Sequence, residues 1–284
     1  MLKQRVITAI VLLLVLLPAL FYPSALPFAV LALVLIAAGA WEWGRLNGCG
    51  QAQSLSIALA CVLICSLVWA MGWLNRSMPS VWMAAGGFWV LAGGWLLRKG
   101  VPVWSTIALR WRLSAGLLAL CCAWMAVAQA RIIGVNFLLS ILVLVWTADI
   151  AAYFAGKALG GRWSRAKLAP AISPGKTWEG VWGGMAGVLV LALAWRWADQ
   201  TWQVAVPSFY SHLAARGWWF LLLAVLFMAA MSVVGDLVES LIKRSAGVKD
   251  SSGLLPGHGG VLDRVDALLP TLPLAMMLNS FGAT

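Results

Sequence analysis

The stretch WWFLLLAVLFMAAMSVVGDLV, residues 218–238, decides how this chain folds. It carries no charge from Trp218 until Asp236, a length at which an α-helix crosses the hydrocarbon core of a bilayer. Similar stretches recur from end to end, since 63% of the 284 residues are hydrophobic and 10% are charged. The mean hydropathy of +0.92 is far above that of a soluble domain of this length. The chain is therefore predicted to be embedded in a membrane.

The predicted fold is all-α, a polytopic transmembrane helical bundle of about nine spans with a cytoplasmic N-terminus. The predicted spans are residues 6–22, 25–41, 55–74, 80–97, 113–129, 135–154, 180–198, 218–238 and 267–281. The first could be read as a signal peptide, because Lys3 and Arg5 precede its apolar run. Its length, the prolines around the would-be cleavage region and the eight spans that follow favour a retained helix.

The distribution of basic residues supports this topology. With nine crossings and a cytoplasmic N-terminus, 16 of the 20 Lys and Arg residues lie on the cytoplasmic side. Only Arg76, Arg131, Arg196 and Arg216 fall outside. Orientation and contact with anionic headgroups thus account for the net charge of +11, and no nucleic acid is predicted as a partner.

Small residues and cysteines inside the spans are interpreted as packing residues. Gly183 and Gly187 form a small-xxx-small pair, which is typical of a contact between membrane helices. Four of the five cysteines lie within spans, and no Cys-x-x-Cys pair is present. Neither a disulfide framework nor a thiolate metal site is therefore predicted.

The carboxylates are few, and five of the nine lie between Asp236 and Asp266. Glu42 and Asp199 sit at membrane edges near arginines and are interpreted as local charge pairs. The other seven lie at or near the cytoplasmic ends of spans six to nine: Asp149, Glu179, Asp236, Glu239, Asp250, Asp263 and Asp266. Gathered carboxylates repel one another and are costly in hydrocarbon, so they need cations or a hydrated cavity. A divalent cation would meet both needs.

Spacing places two of these acids on one face at each of two helix ends. Asp236 and Glu239 are i,i+3 at the end of span eight, as are Asp263 and Asp266 at the start of span nine. Two such ends, facing each other across a Gly-rich loop, could hold one or two Mg²⁺ ions by oxygen ligands.

An ion-pair network is the alternative interpretation of the same residues. Lys243 is i,i+4 from Glu239, and Arg264 directly follows Asp263 at a helix start. Such pairs would neutralise the carboxylates without a metal.

The loop between these helices carries groups suited to a polyphosphate. Lys243, Arg244 and Lys249 can neutralise phosphate oxygens. The glycines at 257, 259 and 260 let the backbone approach a ligand, and His258 among them has few side chains to pack against. We predict a ligand or phosphate role for His258, with a structural role as the alternative.

A second basic segment precedes span seven and contains Ser173-Pro174-Gly175-Lys176-Thr177-Trp178-Glu179-Gly180, with Lys157, Arg162, Arg165 and Lys167 before it. It is not a P-loop, because Pro170 occupies the required upstream glycine position and a membrane bundle offers no βα unit. Ser173 followed by Pro174 is typical of a helix N-cap, which would point free backbone N–H groups at an anion. A plain helix start without a ligand is equally compatible with the pattern.

One 27-residue pattern joins these features: Ser240-Leu-Ile-Lys243-Arg244, Lys249-Asp250-x-Ser252, Leu255-Pro256-x-His258-Gly259-Gly260-Val261 and Asp263-Arg264-Val265-Asp266. It resembles the signature of the phosphatidate cytidylyltransferases, also called CDP-diacylglycerol synthases. The 173–180 stretch and Asp149 are similar to other landmarks of that family, so the resemblance covers 149–284. One departure is Gly175, which stands where the family commonly has a second lysine, and the first five spans match only in hydropathy.

The resemblance implies a Mg²⁺-dependent reaction of CTP with phosphatidic acid that gives CDP-diacylglycerol and pyrophosphate. It also implies roles for particular residues. Those implied to be catalytic are Lys249, Asp250, Asp263 and Asp266. Those implied to bind metal are Asp236, Asp263 and Asp266. Those implied to bind substrate are Lys243, Arg244, His258, Gly259, Gly260, Arg264, Ser173, Lys176 and Thr177.

Two other classes of function remain as alternatives. A proton-coupled transporter also uses intramembrane carboxylates and positive loops, but the acids here gather on one side and no inverted repeat is present. A CTP-dependent lipid-alcohol kinase or a CDP-alcohol phosphotransferase is the third option. The latter normally carries an Asp-Gly-x2-Ala-Arg helix, which this sequence lacks.

The chain is accordingly divided into residues 1–134, the N-terminal spans one to five, and residues 135–284, the C-terminal catalytic region with a site on the cytoplasmic side. Spans one to five are expected to serve packing and oligomer contacts, including those of a homodimer. The expected location is the bacterial inner (cytoplasmic) membrane.

Overall fold

The chain forms a bundle of long helices, seen here in a computed structural model that describes residues 2–164 and 166–281. Arg165, in the second basic segment, lies outside the described residues. Eight helices are long and apolar enough to cross a membrane. They are α1 (Leu2–Phe21), α2 (Leu26–Leu46), α3 (Gln51–Ala70), α4 (Pro79–Lys99), α6 (Leu109–Ile133), α7 (Val135–Leu159), α8 (Trp178–Thr201) and α10 (Trp218–Ser245).

Short elements connect these helices. They are a 3-10 turn (Trp73–Asn75), α5 (Pro102–Thr106), strands β1 (Lys167–Ala169) and β2 (Ser173–Thr177), α9 (Phe209–Ala214), α11 (Leu262–Val265) and α12 (Leu268–Ser280). The strands pair antiparallel, with Lys167 opposite Thr177. The prediction of an all-α polytopic bundle is confirmed, with one small hairpin added.

The predicted ninth span is a shorter helix than a crossing requires. α12 has 13 residues, whereas a helix needs about 20 to span the hydrocarbon core. Pro273 lies inside it, and most of its side chains are buried against the other helices. Its apolar sequence therefore reflects a position in the core of the protein, which hydropathy alone does not separate from contact with lipid.

Helices α7 and α8 pack closely because small residues line their contact. A β-carbon on Gly183 would overlap that of Ala155, and one on Gly187 would lie 2.6 Å from that of Ala151. The predicted packing role of this glycine pair is confirmed. The close approach aligns the end of α7 with the start of α8, where several charged residues gather.

Three thiols meet in the middle of the bundle. Cys61 and Cys65 of α3 and Cys121 of α6 have sulfur atoms within 4.8 Å of one another, and the Cys61 and Cys121 sulfurs are 3.8 Å apart. All five cysteines are free thiols in this structure. The cluster was not foreseen, because Cys61 and Cys65 share a helix face against which the distant Cys121 packs, and the prediction that no thiolate metal site forms stays a prediction.

Candidate active site

A cavity of about 490 Å³ opens between α7, α8 and α10. Its charged lining comes from Asp149 and Lys157 of α7, Lys176 at the end of β2, and Asp236 of α10. The remaining wall is largely apolar and includes Tyr153, which is exposed. The cavity thus has charged side chains on one part of its surface and apolar side chains on the rest.

Lys176 and Asp236 form an ion pair inside this cavity. Ser240, one turn further along α10, donates to the other oxygen of Asp236 across 3.3 Å. The hairpin β1–β2 carries Lys176 to this position, so the second basic segment and the end of α10 belong to one site. Lys176 and Asp236 were both predicted as site residues from the sequence, but their contact with each other was not predicted.

Asp266 adds a third carboxylate near Asp149 and Asp236. Burial, and next the negative charge of Asp236, raises the pKa of Asp266 to about 7, with Asp149 adding to the effect. The negative charges of Asp236 and Asp149 therefore act on Asp266, and Lys243 offsets part of their effect. The oxygen atoms of these carboxylates are donors of the kind that a hard divalent cation such as Mg²⁺ prefers. Among the residues that the structure describes, only the Cys61, Cys65 and Cys121 group has three ligand atoms within 4.8 Å of one another, so the three carboxylates would have to draw together to share an ion.

Asp263 has a different environment and is fully occupied by donors of the chain. Its Oδ2 accepts from the backbone N–H of Ser251 at 2.9 Å and of Gly260 at 2.7 Å, and from the Ser251 hydroxyl at 2.9 Å. Its Oδ1 accepts from Lys243 at 2.5 Å. Burial opposes ionisation, but Lys243 and these amides outweigh it and lower the pKa of Asp263.

Lys243 also pairs with Glu239 one turn before it, as the ion-pair interpretation predicted. The buried ammonium group therefore bridges two carboxylates, one on α10 and one on α11. Around Glu239, Lys243 and Asp263, the ion-pair network is the arrangement that this structure shows. The predicted metal role of Asp236 and Asp266 stays a prediction.

The glycines of the loop make room for carboxylates of the chain itself. Gly259 has a φ of +82°, and a β-carbon there would lie 2.7 Å from Asp263 Oδ2. A β-carbon on Gly260 would overlap the Ser251 hydroxyl and Glu42 Oε1. These positions require glycine irrespective of a bound ligand.

The surroundings of Glu42 differ from those predicted. It is fully buried and accepts from the Val261 N–H at 2.9 Å, the Leu262 N–H at 2.8 Å and the Ser252 hydroxyl at 2.5 Å. The Ser251 hydroxyl also lies 3.2 Å from Glu42, but its one proton is shared with Asp263.

The expected partner of Glu42, Arg45, lies elsewhere: its guanidinium donates to Gln51 and lies over the ring of Trp41. The interpretation of Glu42 as a local charge pair was therefore wrong. The only signal in the sequence was an acidic residue near the end of an apolar span, which requires a partner from somewhere.

Asp199 was also wrongly interpreted as paired with a neighbouring arginine. Its carboxylate accepts from Asn136, from the Ser208 N–H and from the Ser211 hydroxyl, all at 2.6 to 2.9 Å. Arg196 lies over the ring of Trp218 instead. Asp199 is near the end of α8 remote from Lys176, where it joins three elements without contributing to the cavity.

Helix α1 also reaches the loop. Arg5 donates to the Gly257 carbonyl at 2.9 Å, and Thr8 donates to the Pro256 carbonyl at 3.0 Å. Side chains from α1 and α2 thus contact the segment from Ser251 to Leu262, across the predicted boundary at residue 134. Spans one and two take part in shaping the site as well as in packing.

The predicted helix start at Ser173 and Pro174 was wrong. These residues are in β2, and Thr177 caps α8 by accepting from the Gly180 N–H at 3.1 Å. Glu179, in the first turn of α8, accepts from the backbone N–H groups of Trp163 and Ser164 at 3.1 and 2.8 Å. Proline is compatible with an extended backbone, and pairing with β1 outweighs the local helix signal.

Other predicted residues lie at the loop surface. Arg244 donates to the carbonyls of Ile172 and Val248, and Arg264 donates to that of His258. Lys249 and Asp250 are exposed, and neither side chain forms a hydrogen bond or ion pair with any residue that the structure describes.

His258 is half-buried, and its Nδ1 atom has no hydrogen-bond partner among residues 2–164 and 166–281. Its carbonyl, by contrast, is held by Arg264. None of His258, Lys249 and Asp250 lines the cavity that contains Asp236, and their predicted roles stay predictions.

The fold and the site define an integral-membrane protein with a cavity that combines carboxylates, lysines and an apolar wall. A model of the cytidylyltransferase family matches residues 3–281. The chain therefore belongs to the cytidylyltransferase family.

Relatives agree with this assignment. A Pseudomonas aeruginosa protein named phosphatidate cytidylyltransferase is 42% identical over 277 residues, which cover 96% of this chain and 95% of that protein. A Haemophilus influenzae protein of the same name is 47% identical over 140 residues, covering 49% of this chain and 44% of that protein. One from Bacillus subtilis is 42% identical over 145 residues, covering 51% and 48%. The resemblance found in the sequence is confirmed.

Proposed function

We propose that this membrane enzyme transfers CMP from CTP to phosphatidic acid and forms CDP-diacylglycerol and pyrophosphate. Membership of the cytidylyltransferase family and the name carried by a relative of nearly the same length support it. The observation that carries the proposal is a cavity with lysines and carboxylates next to an apolar wall. The phosphate of the lipid and the triphosphate of the nucleotide need the charged side chains. The acyl chains of the lipid need the apolar wall.

In this reaction a phosphate oxygen of phosphatidic acid attacks the α-phosphorus of CTP. A new P–O bond forms, the bond between the α-phosphorus and the bridging oxygen breaks, and pyrophosphate leaves with that electron pair. The nucleophile already carries a negative charge, so a general base is not required. Lys176 and Lys157 are placed to bind phosphate oxygens as charge redistributes.

We assign Mg²⁺ to the group of Asp149, Asp236 and Asp266. When bound, the ion would neutralise negative charge on the phosphates. Asp236 and Asp266 keep their predicted metal role, and Asp149 is added because it lines the same cavity. We assign Asp263 to ordering the loop, since its oxygens accept from Ser251, Gly260 and Lys243.

We further propose that the cavity faces the cytoplasm and that the chain resides in a bacterial inner membrane. The excess of basic residues at the cavity end of the bundle supports this orientation. Labelling of single cysteines placed at 249 and 203 in intact cells would test it. A homodimer stays a prediction.

The decisive experiment is incubation of the purified protein with labelled CTP, phosphatidic acid and Mg²⁺. We expect CDP-lipid and pyrophosphate in equal amounts, and loss of both with Asp236→Asn. Phosphorylated lipid alcohol with CDP as the second product would identify a kinase. A transporter would form neither CDP-lipid nor pyrophosphate, and either result would overturn the proposal.

A further inference from the structure

The short helix α11 carries two of the acidic residues of the site and has little stability of its own. It has four residues, so its backbone N–H groups outnumber the bonds that it can form internally. Asp263 lies in it, and Asp266 follows its last residue. The direction in which Asp266 presents its carboxylate therefore depends on what fixes the start of α11.

A side chain from α2 supplies that fixed point. Glu42 Oε1 accepts from the Val261 N–H, and Oε2 accepts from the Leu262 N–H, so each oxygen holds one backbone donor at the start of α11. The negative charge of Glu42 also interacts favourably with the partial positive charge of the backbone N–H groups at this helix N-terminus. Because Glu42 is fully buried, water cannot replace it.

The same carboxylate holds the preceding loop. The Ser252 hydroxyl donates to it, and the single hydroxyl proton of Ser251 lies between Glu42 and Asp263, at oxygen–oxygen distances of 3.2 and 2.9 Å. A single buried residue therefore connects α2, the loop from Ser251 to Gly260 and α11.

We infer that Glu42 is a positioning residue of the active site, which caps α11 and sets the place of Asp266 relative to Asp236. It touches no reacting atom in this arrangement and acts through the loop and the helix. The inference rests on the proposed function for its activity readout, and it has a second readout that does not.

Replacement by glutamine tests the bidentate cap with almost no change in size. Glutamine has one acceptor oxygen, and its NH₂ group would face a backbone N–H that cannot turn away. Glu42→Gln thus leaves either the Val261 or the Leu262 donor without a partner. Asp199→Asn is the matched control, since Asp199 is also a buried carboxylate with three donors but lies far from the cavity.

We expect both variants to lower thermal stability to a similar extent in detergent or nanodiscs. Only Glu42→Gln should raise the Mg²⁺ concentration needed for half-maximal turnover and lower kcat/KM for CTP, by about tenfold or more relative to Asp199→Asn, as for loss of a residue that orients metal ligands. A purely structural role would lower the amount of active protein without moving the Mg²⁺ midpoint.

Amide hydrogen exchange of residues 250–262 gives the readout that is independent of activity. We expect faster exchange there in Glu42→Gln and no change there in Asp199→Asn. Unchanged exchange, or a Mg²⁺ midpoint equal to that of the control, would overturn the positioning role. If the unaltered protein forms no CDP-lipid, the proposed function fails, while the exchange measurement still decides whether Glu42 caps α11.

Discussion

Lys243 donates to Asp263 across 2.5 Å and so joins the end of α10 to α11. Asp263→Asn would remove the charge partner of Lys243 and could keep only part of the set of hydrogen bonds from Ser251 and Gly260. We expect a loss of about 1–3 kcal/mol in stability, the usual cost of leaving buried polar groups unsatisfied. Thermal unfolding measures this loss, and an unchanged midpoint would contradict the assignment of Asp263 to loop order.

Asp266 makes stability depend on pH. Its pKa in the folded protein is about 7, above the usual value of an aspartate, so the folded state favours the protonated form. Without Mg²⁺, the contribution of Asp266 to the free energy of unfolding should be largest below pH 4 and should decrease as the pH rises toward 7. Thermal unfolding at several pH values would show the fall, and Asp266→Asn should flatten it. A slope that is identical in both proteins would exclude Asp266 as its source.

Lys176 is expected to be needed for turnover. Lys176→Met removes the cation that pairs with Asp236 in the cavity, while Lys167→Met alters an exposed lysine outside the cavity lining. We expect about a 100-fold lower kcat/KM for the first variant, the size typical of losing one group that stabilises transition-state charge. The second should remain close to unaltered activity. Equal activity of the two variants would remove Lys176 from the site.

Gly175 offers a substitution that restores the lysine common in the family. A β-carbon there meets no atom within 4 Å, and the position lines the cavity. Gly175→Lys should therefore leave the unfolding free energy within about 0.5 kcal/mol, as for most exposed sites. The added positive charge should lower KM for CTP or for phosphatidic acid. A large drop in stability would show that the space is not free.

Gly260 should tolerate no side chain. Gly260→Ala would overlap the Ser251 hydroxyl and Glu42, whereas Gly253→Ala in the same loop meets no atom within 4 Å. We expect the first to cost about 1–3 kcal/mol by overpacking. Turnover should fall with it, and Gly253→Ala should behave like the unaltered protein. Comparable unfolding midpoints of the two variants would argue against the close contact.

The long helices were predictable because the bilayer sets their length. A run of about 20 apolar residues has few other uses, so eight of the nine predicted spans correspond to helices that are long enough to cross a membrane. The exception, α12, has the same composition but is surrounded by protein. Composition reports that a residue avoids water and does not report what it touches.

The site was predictable where its residues follow one another in the sequence. Asp236, Lys243, Asp263 and Asp266 were found through their spacing and a long signature. Asp149 was counted among the gathered carboxylates but given no metal role, since its approach to Asp236 depends on packing between helices that are distant in the sequence. The hairpin was missed because Lys167 and Thr177 pair across a turn, while Ser173 and Pro174 give a strong local helix signal.

Glu42 could not be placed from the sequence because its partners are 209 to 220 residues away. Arg45, three residues on, offers a nearer and simpler partner. Separations of this kind leave no periodic pattern, and only the cost of a charge in an apolar span indicates that a partner exists.

The contacts of Glu42 and Arg5 with the last loop bear on the order in which the protein matures. The first two helices enter the membrane long before Val261 and Leu262 leave the ribosome. The carboxylate of Glu42 therefore has no N–H donors from α11 during most of synthesis. In a chain that ends before α11, Glu42 lacks the hydrogen bonds from Val261 and Leu262. Assembly of the site is consequently among the final events in biogenesis, and truncated copies are expected to be inert however well their early helices have inserted.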